Sequence, residues 1–117
     1  EPLGSSTAAG EGPALPAGRL LGPLASFPNP FNPTTSLAFV TRAQAEVSLK
    51  IYDIGGRLMR TVAQDQPMEA GYHVLGFNGR DDGDHALASG AYLAVVMAYD
   101  PLTGHNEKVV QKLVILQ

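Results

Sequence analysis

Three aspartates within four positions, Asp81, Asp82 and Asp84, with Asn78 just upstream, form the densest set of oxygen donors in the chain. Oxygen ligands of this kind suit a hard cation such as Ca2+, which makes these aspartates the candidate metal ligands. The spacing lacks the full calcium loop and its closing bidentate glutamate, so an acidic glycine-rich turn explains the same residues. His73, His85 and His105 are too widely spaced for the i, i+3 or i, i+4 pairing that zinc sites use on a helix. No Gly-x-Ser-x-Gly elbow and no paired carboxylates in a cleft-forming context occur, so neither nucleophilic nor acid/base catalysis has support. The glycines at 55, 56, 79 and 83 precede no helix, which removes the usual phosphate cradle. The chain reads as non-enzymatic, with no cofactor indicated beyond a possible Ca2+.

The elements that would position these residues are strands. Val47, Leu49 and Ile51 alternate with Ser48, Lys50 and Tyr52, the period of a half-buried strand over 45–53. A second run covers Thr34–Val40, with Leu37 and Phe39 on one face. The glycine pair Gly55-Gly56 supplies the positive φ of a hairpin leading into 58–63. Further strands are expected over 72–78, over 90–99, where both faces are apolar as in a central strand, and over 107–116. Six or seven short strands separated by turn signals argue an all-β, antiparallel β-sandwich. No segment has helical periodicity.

The 117 residues fit one domain, and the net charge of −3 offers no basic patch for nucleic acid or anionic lipid. The absence of cysteine excludes disulfides and thiolate metal sites. The longest apolar runs fall far short of the ~20 residues of a spanning helix, so no membrane span is expected. The opening Glu1-Pro2-Leu3-Gly4-Ser5 does not read as a signal peptide.

Phe27-Pro28-Asn29-Pro30-Phe31-Asn32-Pro33-Thr34-Thr35 marks the entry to the folded domain. Its three prolines remove backbone donors and forbid a helix, its Asn-Pro steps favour turns, and Phe27 and Phe31 are placed to pin the turn onto a core. Residues 1–26 are rich in Gly, Pro, Ala and Ser, a composition that does not fold alone. This gives two parts, an extended arm over 1–26 and a sandwich over 27–117. Four leucines, Leu15, Leu20, Leu21 and Leu24, give the arm more apolar weight than a spacer needs, and they predict docking on a neighbouring molecule.

The PNPFNPTT motif, Val47–Arg57, Ala70-Gly71-Tyr72-His73-Val74, Gly79-Arg80-Asp81-Asp82 with Leu87–Tyr92, and the ending Lys112–Gln117 resemble, in that order, the C-terminal sorting domain of type IX secretion substrates (type A). They are also similar to the Ig-like domain of the flagellar hook-capping protein. Phe77 stands where the family usually shows tryptophan, and Gln117 where the end is usually basic. The resemblance implies an Ig-like sandwich of about seven strands, exported across a bacterial outer membrane to the cell surface or beyond. It also implies recognition by secretion machinery, with Pro28, Asn29, Pro30, Phe31, Asn32, Pro33 and the final-strand residues Lys112, Leu113 and Val114 as partner-binding positions.

Three functions follow as expectations. The first is a self-assembling surface filament subunit, a homo-oligomer in which copies join through the arm. The second is a sorting or anchoring module for the secretion machinery. The third, ligand or carbohydrate binding on a sandwich face, wants a row of outward aromatic rings, and the chain has no tryptophan.

Overall fold

The computed structural model describes residues 18–117. Seven strands form two antiparallel sheets: β1 (Ala25–Phe27), β2 (Thr35–Thr41), β3 (Ala45–Asp53), β4 (Leu58–Met68), β5 (Gly71–Phe77), β6 (Gly90–Tyr99) and β7 (Asn106–Ile115). One sheet has the order β1-β2-β5 and the other β4-β3-β6-β7. This is an all-β, Ig-like sandwich.

The alternation read from the sequence sets the core. Leu37 and Phe39 of β2, Val47, Leu49 and Ile51 of β3, Ala94 and Val96 of β6, and Leu113 and Ile115 of β7 are all buried between the sheets. Within the same layer Tyr92 donates its hydroxyl to the Ala88 carbonyl at 2.7 Å, so the ring is buried with its polar end satisfied. Strand β4 runs five residues further than its sequence signal, through Pro67 to Met68. Proline is tolerated there because β4 is a sheet edge, and register shifts against β3 already interrupt the ladder.

The domain starts earlier than Phe27. Leu20, Leu21 and Leu24, expected to dock on a neighbour, are inserted into this domain's own core, at 4%, 1% and 3% exposure. The backbone around them continues the edge of β2: the Gly22 N–H donates to the Val40 carbonyl, and the Arg42 N–H to the Leu20 carbonyl. Low-complexity composition hid this, because the apolar anchors are separated by Gly and Pro rather than by a strand's alternation. Leu15 lies outside the described residues.

Glu107 at the start of β7 clasps the segment in place. Its carboxylate accepts the backbone N–H groups of Leu20 (2.9 Å) and Leu21 (3.0 Å) and the Arg19 Nε–H (3.1 Å), and it lies 2.7 Å from His105 Nε2. Burial pushes this carboxyl up, but His105, the two N–H groups and Arg19 outweigh it and hold its pKa at about 2.

Candidate functional site

The aspartate loop, the Pro-Asn motif and the last strand are the places nominated by the sequence that lie wholly within the described residues. The three aspartates do not converge. Asp81 Oδ1 accepts the N–H groups of Gly83 and His85, both at 2.9 Å, closing the turn. Those two bonds, His85 first, hold its pKa below the usual carboxylate range. Asp82 turns towards β4, accepting the Thr61 N–H at 3.0 Å beside the Arg60 guanidinium, and Asp84 pairs with Arg80. Each carboxylate is committed to a different partner, and no group of three metal-ligating side chains forms among the described residues.

The Pro-Asn motif and the last strand, expected to offer their backbones to a partner, are matched to each other. The Asn29 side-chain amide lies along β7 as a peptide unit would: its Nδ2 donates to the Lys112 carbonyl (2.8 Å), and its Oδ1 accepts the Val114 N–H (2.9 Å). Phe31 follows in a parallel bridge to Ile115, donating to the Val114 carbonyl and accepting the Leu116 N–H. Phe31 is 2% exposed and meets Phe77 edge to face, whereas Phe27, expected to pin the turn alongside it, is 58% exposed. Pro28, Pro30, Asn32 and Pro33 shape the turn that brings Asn29 and Phe31 into position. Gly79, at φ +72°, lies against this turn, and a Cβ there would come within 2.8 Å of the Pro33 carbonyl oxygen. Leu113 faces the core and is fully buried.

A different place stays open. Exposed sheet edges are templates for another chain, and folded proteins blunt them with charge, proline, bulges or shortness. Strand β7 carries Lys108 and Lys112 and is covered over its last residues by Asn29 and Phe31. Strand β4 carries Pro67 and register shifts, and β1 has only three residues. Strand β5 has none of these devices. It pairs in unbroken register with β2 over Gly71-Tyr72-His73-Val74-Leu75-Gly76-Phe77 on one side, and on the other its backbone has no partner among the described residues.

The surroundings of that edge have the shape of a missing strand. Strand β1 lies against β7, so β2 and β5 follow over β6 and β3, and β4 is left without a strand opposite among the described residues. Met59, Arg60, Thr61 and Val62 of β4 are accordingly only half-buried. An open groove of about 490 Å³, lined by Phe27, Pro28, Ser36, Val62, Gly76 and Phe77 among others, runs round the end of β5 towards β4. It continues onto the outer face of the three-stranded sheet, where Ala25, Ser36, Ala38, Val40, Tyr72, Val74 and Gly76 carry no charge. Tyr72 and Val74 are exposed there. The sequence marked β5 as a strand but could not mark its edge as free, because strand order depends on pairings between distant residues.

A two-sheet sandwich with strands of this order and a proline-rich entry turn defines an Ig-like module. The chain belongs to the FlgD Ig-like domain family, whose model matches residues 29–101. Among solved structures, dimeric latent PorU from Porphyromonas gingivalis aligns at 17% identity and a TM-score of 0.64, over 80% of this chain and 9% of that one. FlgD from P. aeruginosa aligns at 16% identity and a TM-score of 0.57, over 69% of this chain and 61% of that one. PorZ, an essential bacterial surface component of the type IX secretion system of P. gingivalis, aligns at 24% identity with a TM-score of 0.48, over 80% of this chain and 11% of that one. The chain therefore spans about a tenth of PorU and under two thirds of FlgD. A search of curated protein sequences finds no match.

Proposed function

We propose that this domain is a bacterial cell-surface assembly module that receives an extended segment along β5, and that the segment is residues 3–12 of the next copy. The observation that carries this reading is the unprotected β5 edge above the half-buried β4. An added strand would gain backbone hydrogen bonds from β5 and cover Val62 and Leu75. Residues 3–12 are free of proline, and at ~3.3 Å per residue they suffice to run the length of β5. Because Leu20, Leu21 and Leu24 are fixed in their own core, the connector is the chain ahead of Gly18 and not the whole of 1–26. Such a contact is head-to-tail, and head-to-tail contacts that do not close make filaments.

Electron microscopy of the full chain, of a version starting at Gly18, and of full-length Val74→Lys tests the proposal. Val74 is 52% exposed, so the lysine charges the β5 edge without disturbing the core. Filaments from the unmodified chain alone support the proposal; filaments from the shortened chain, or from Val74→Lys, refute it.

The order of the motifs, from PNPFNPTT to the final strand, favours a second reading, a type IX sorting or anchoring module whose β5 edge takes a segment of the secretion machinery. Dispersed monomers from all three proteins, together with loss of export of a fused reporter on Val74→Lys, would support that reading instead.

A further inference from the structure

Strand β6 is apolar on both faces, yet only one of them faces the core. Tyr92, Ala94, Val96 and Ala98 point inward, while Ala91, Leu93, Val95, Met97 and Tyr99 point out from the four-stranded sheet, where no further layer covers them among the described residues. Outward positions of an antiparallel sheet are ordinarily polar when that face meets only water. Met97 is 48% and Val110 of neighbouring β7 49% exposed, so the stripe is accessible.

The charges around the stripe are unevenly placed: the outward face of β7 carries only lysines, whereas that of β3 carries Lys50 as well as an acid. All three lysines of the chain stand on this face, Lys50 on β3 and Lys108 and Lys112 on β7, and none has an ion pair among the described residues. The acids lie across the stripe: Glu46 on β3, and Asp65, whose carboxylate rests 3.3 Å from the outward hydroxyl of Ser48. The register sets Ser48, Met97 and Lys108 in one row, Lys50, Val95 and Val110 in the next, and Tyr52, Leu93 and Lys112 in a third.

We infer that two copies pair face to face through their four-stranded sheets, about a twofold axis running along β6. That axis sets β7 of each copy over β3 of the other. Lys108 then faces Ser48 and Asp65 of the second copy, Lys112 faces the Tyr52 ring, Asn106 faces Glu46, and the stem of Lys50 covers Val110. Leu93, Val95 and Met97 meet their own counterparts at the centre. The alternative in-plane axis, perpendicular to the strands, would set Lys108 against Lys112 and Lys50 against itself, so the charges choose the orientation. Three strands (β3, β6 and β7) by five rows give ~500 Å² per copy. This is below the ~800 Å² of a standard interface, so the pair is weak and reversible.

The chain lacks cysteine, which permits a clean test. In the full-length protein, Met97→Cys places one thiol per copy beside the axis, within reach of a short bismaleimide, whereas Leu102→Cys, on a turn at 92% exposure, does not. We expect cross-linked dimer at tens of micromolar from Met97→Cys and background from Leu102→Cys. Adding Lys108→Glu lowers the yield roughly tenfold by opposing Asp65, and Asp65→Asn on top of it restores much of the yield. All these side chains are exposed at the surface, and circular dichroism confirms folding of each variant. Equal cross-linking of the two cysteine variants, or indifference to Lys108→Glu, overturns the inference. The same measurement in a Val74→Lys background separates this pairing from strand addition at β5.

Discussion

Removing the charge of Glu107 while keeping its shape, as Glu107→Gln, tests whether the clasp holds residues 19–21 to the sandwich. The folded carboxyl titrates at about 2 against an ordinary 4.5, because the ionised form accepts two backbone N–H groups and faces Arg19 and His105. At ~1.4 kcal/mol per tenfold in proton affinity, the folded state gains about 3 kcal/mol from the charge. The Glu107 side chain is only 12% exposed, but Arg19 is 49% exposed and its share is screened, so about 2 kcal/mol is the expected loss. That is a large part of the ~5–15 kcal/mol by which domains are stable. Since the folded pKa lies below the unfolded one, the stabilisation is complete above pH 4.5 and disappears as the pH falls through 2. Urea unfolding followed by tyrosine fluorescence should therefore show the wild type and Glu107→Gln separated by about 2 kcal/mol at pH 7 and converging towards pH 2. A separation below ~0.5 kcal/mol at pH 7, or one that does not shrink with acid, would refute the reasoning.

Two further outcomes follow. Leu21→Ala, at a site 1% exposed, should cost ~2–5 kcal/mol in the same assay; a near-neutral result would return this leucine to the role of an external anchor. Asn29→Asp keeps the acceptor for Val114 but sets a carboxylate oxygen against the Lys112 carbonyl, and it should cost ~1–3 kcal/mol and raise hydrogen exchange at Val114 and Leu116. Unchanged exchange there would mean that β7 does not depend on the motif for its closure.

Most of the fold is legible in the sequence because a strand writes its environment in every second residue. Val47, Leu49 and Ile51 announce the core face of β3, and Gly55-Gly56 announces the turn into β4, where Gly56 has φ +90°. The functional surfaces are less legible, each for a physical reason. The burial of Leu20 and Leu21 is fixed by a glutamate 87 and 86 residues away, so no local window contains it. The role of Asn29 depends on an amide imitating a peptide unit of β7, and composition reports only a turn-former. The placing of Lys108 and Lys112 across β6 from Glu46 and Asp65 joins residues 43 or more apart in the chain, and a net charge of −3 averages it away. The two-sided apolar character of β6 suggests a central strand; its sheet position agrees, but its outer face is uncovered among the described residues.

The segment clasped by Glu107 and the tail stitched at Gln117 sit at opposite ends of β7. At ~3.4 Å per residue the ten residues between them separate these points by ~34 Å. Tension applied between Gly18 and Gln117 therefore runs parallel to the strands. The bonds of Leu20 and Gly22 to β2, and those of Phe31 to β7, would be sheared together rather than peeled one after another. A module strung between two attachments along this axis would yield late and abruptly.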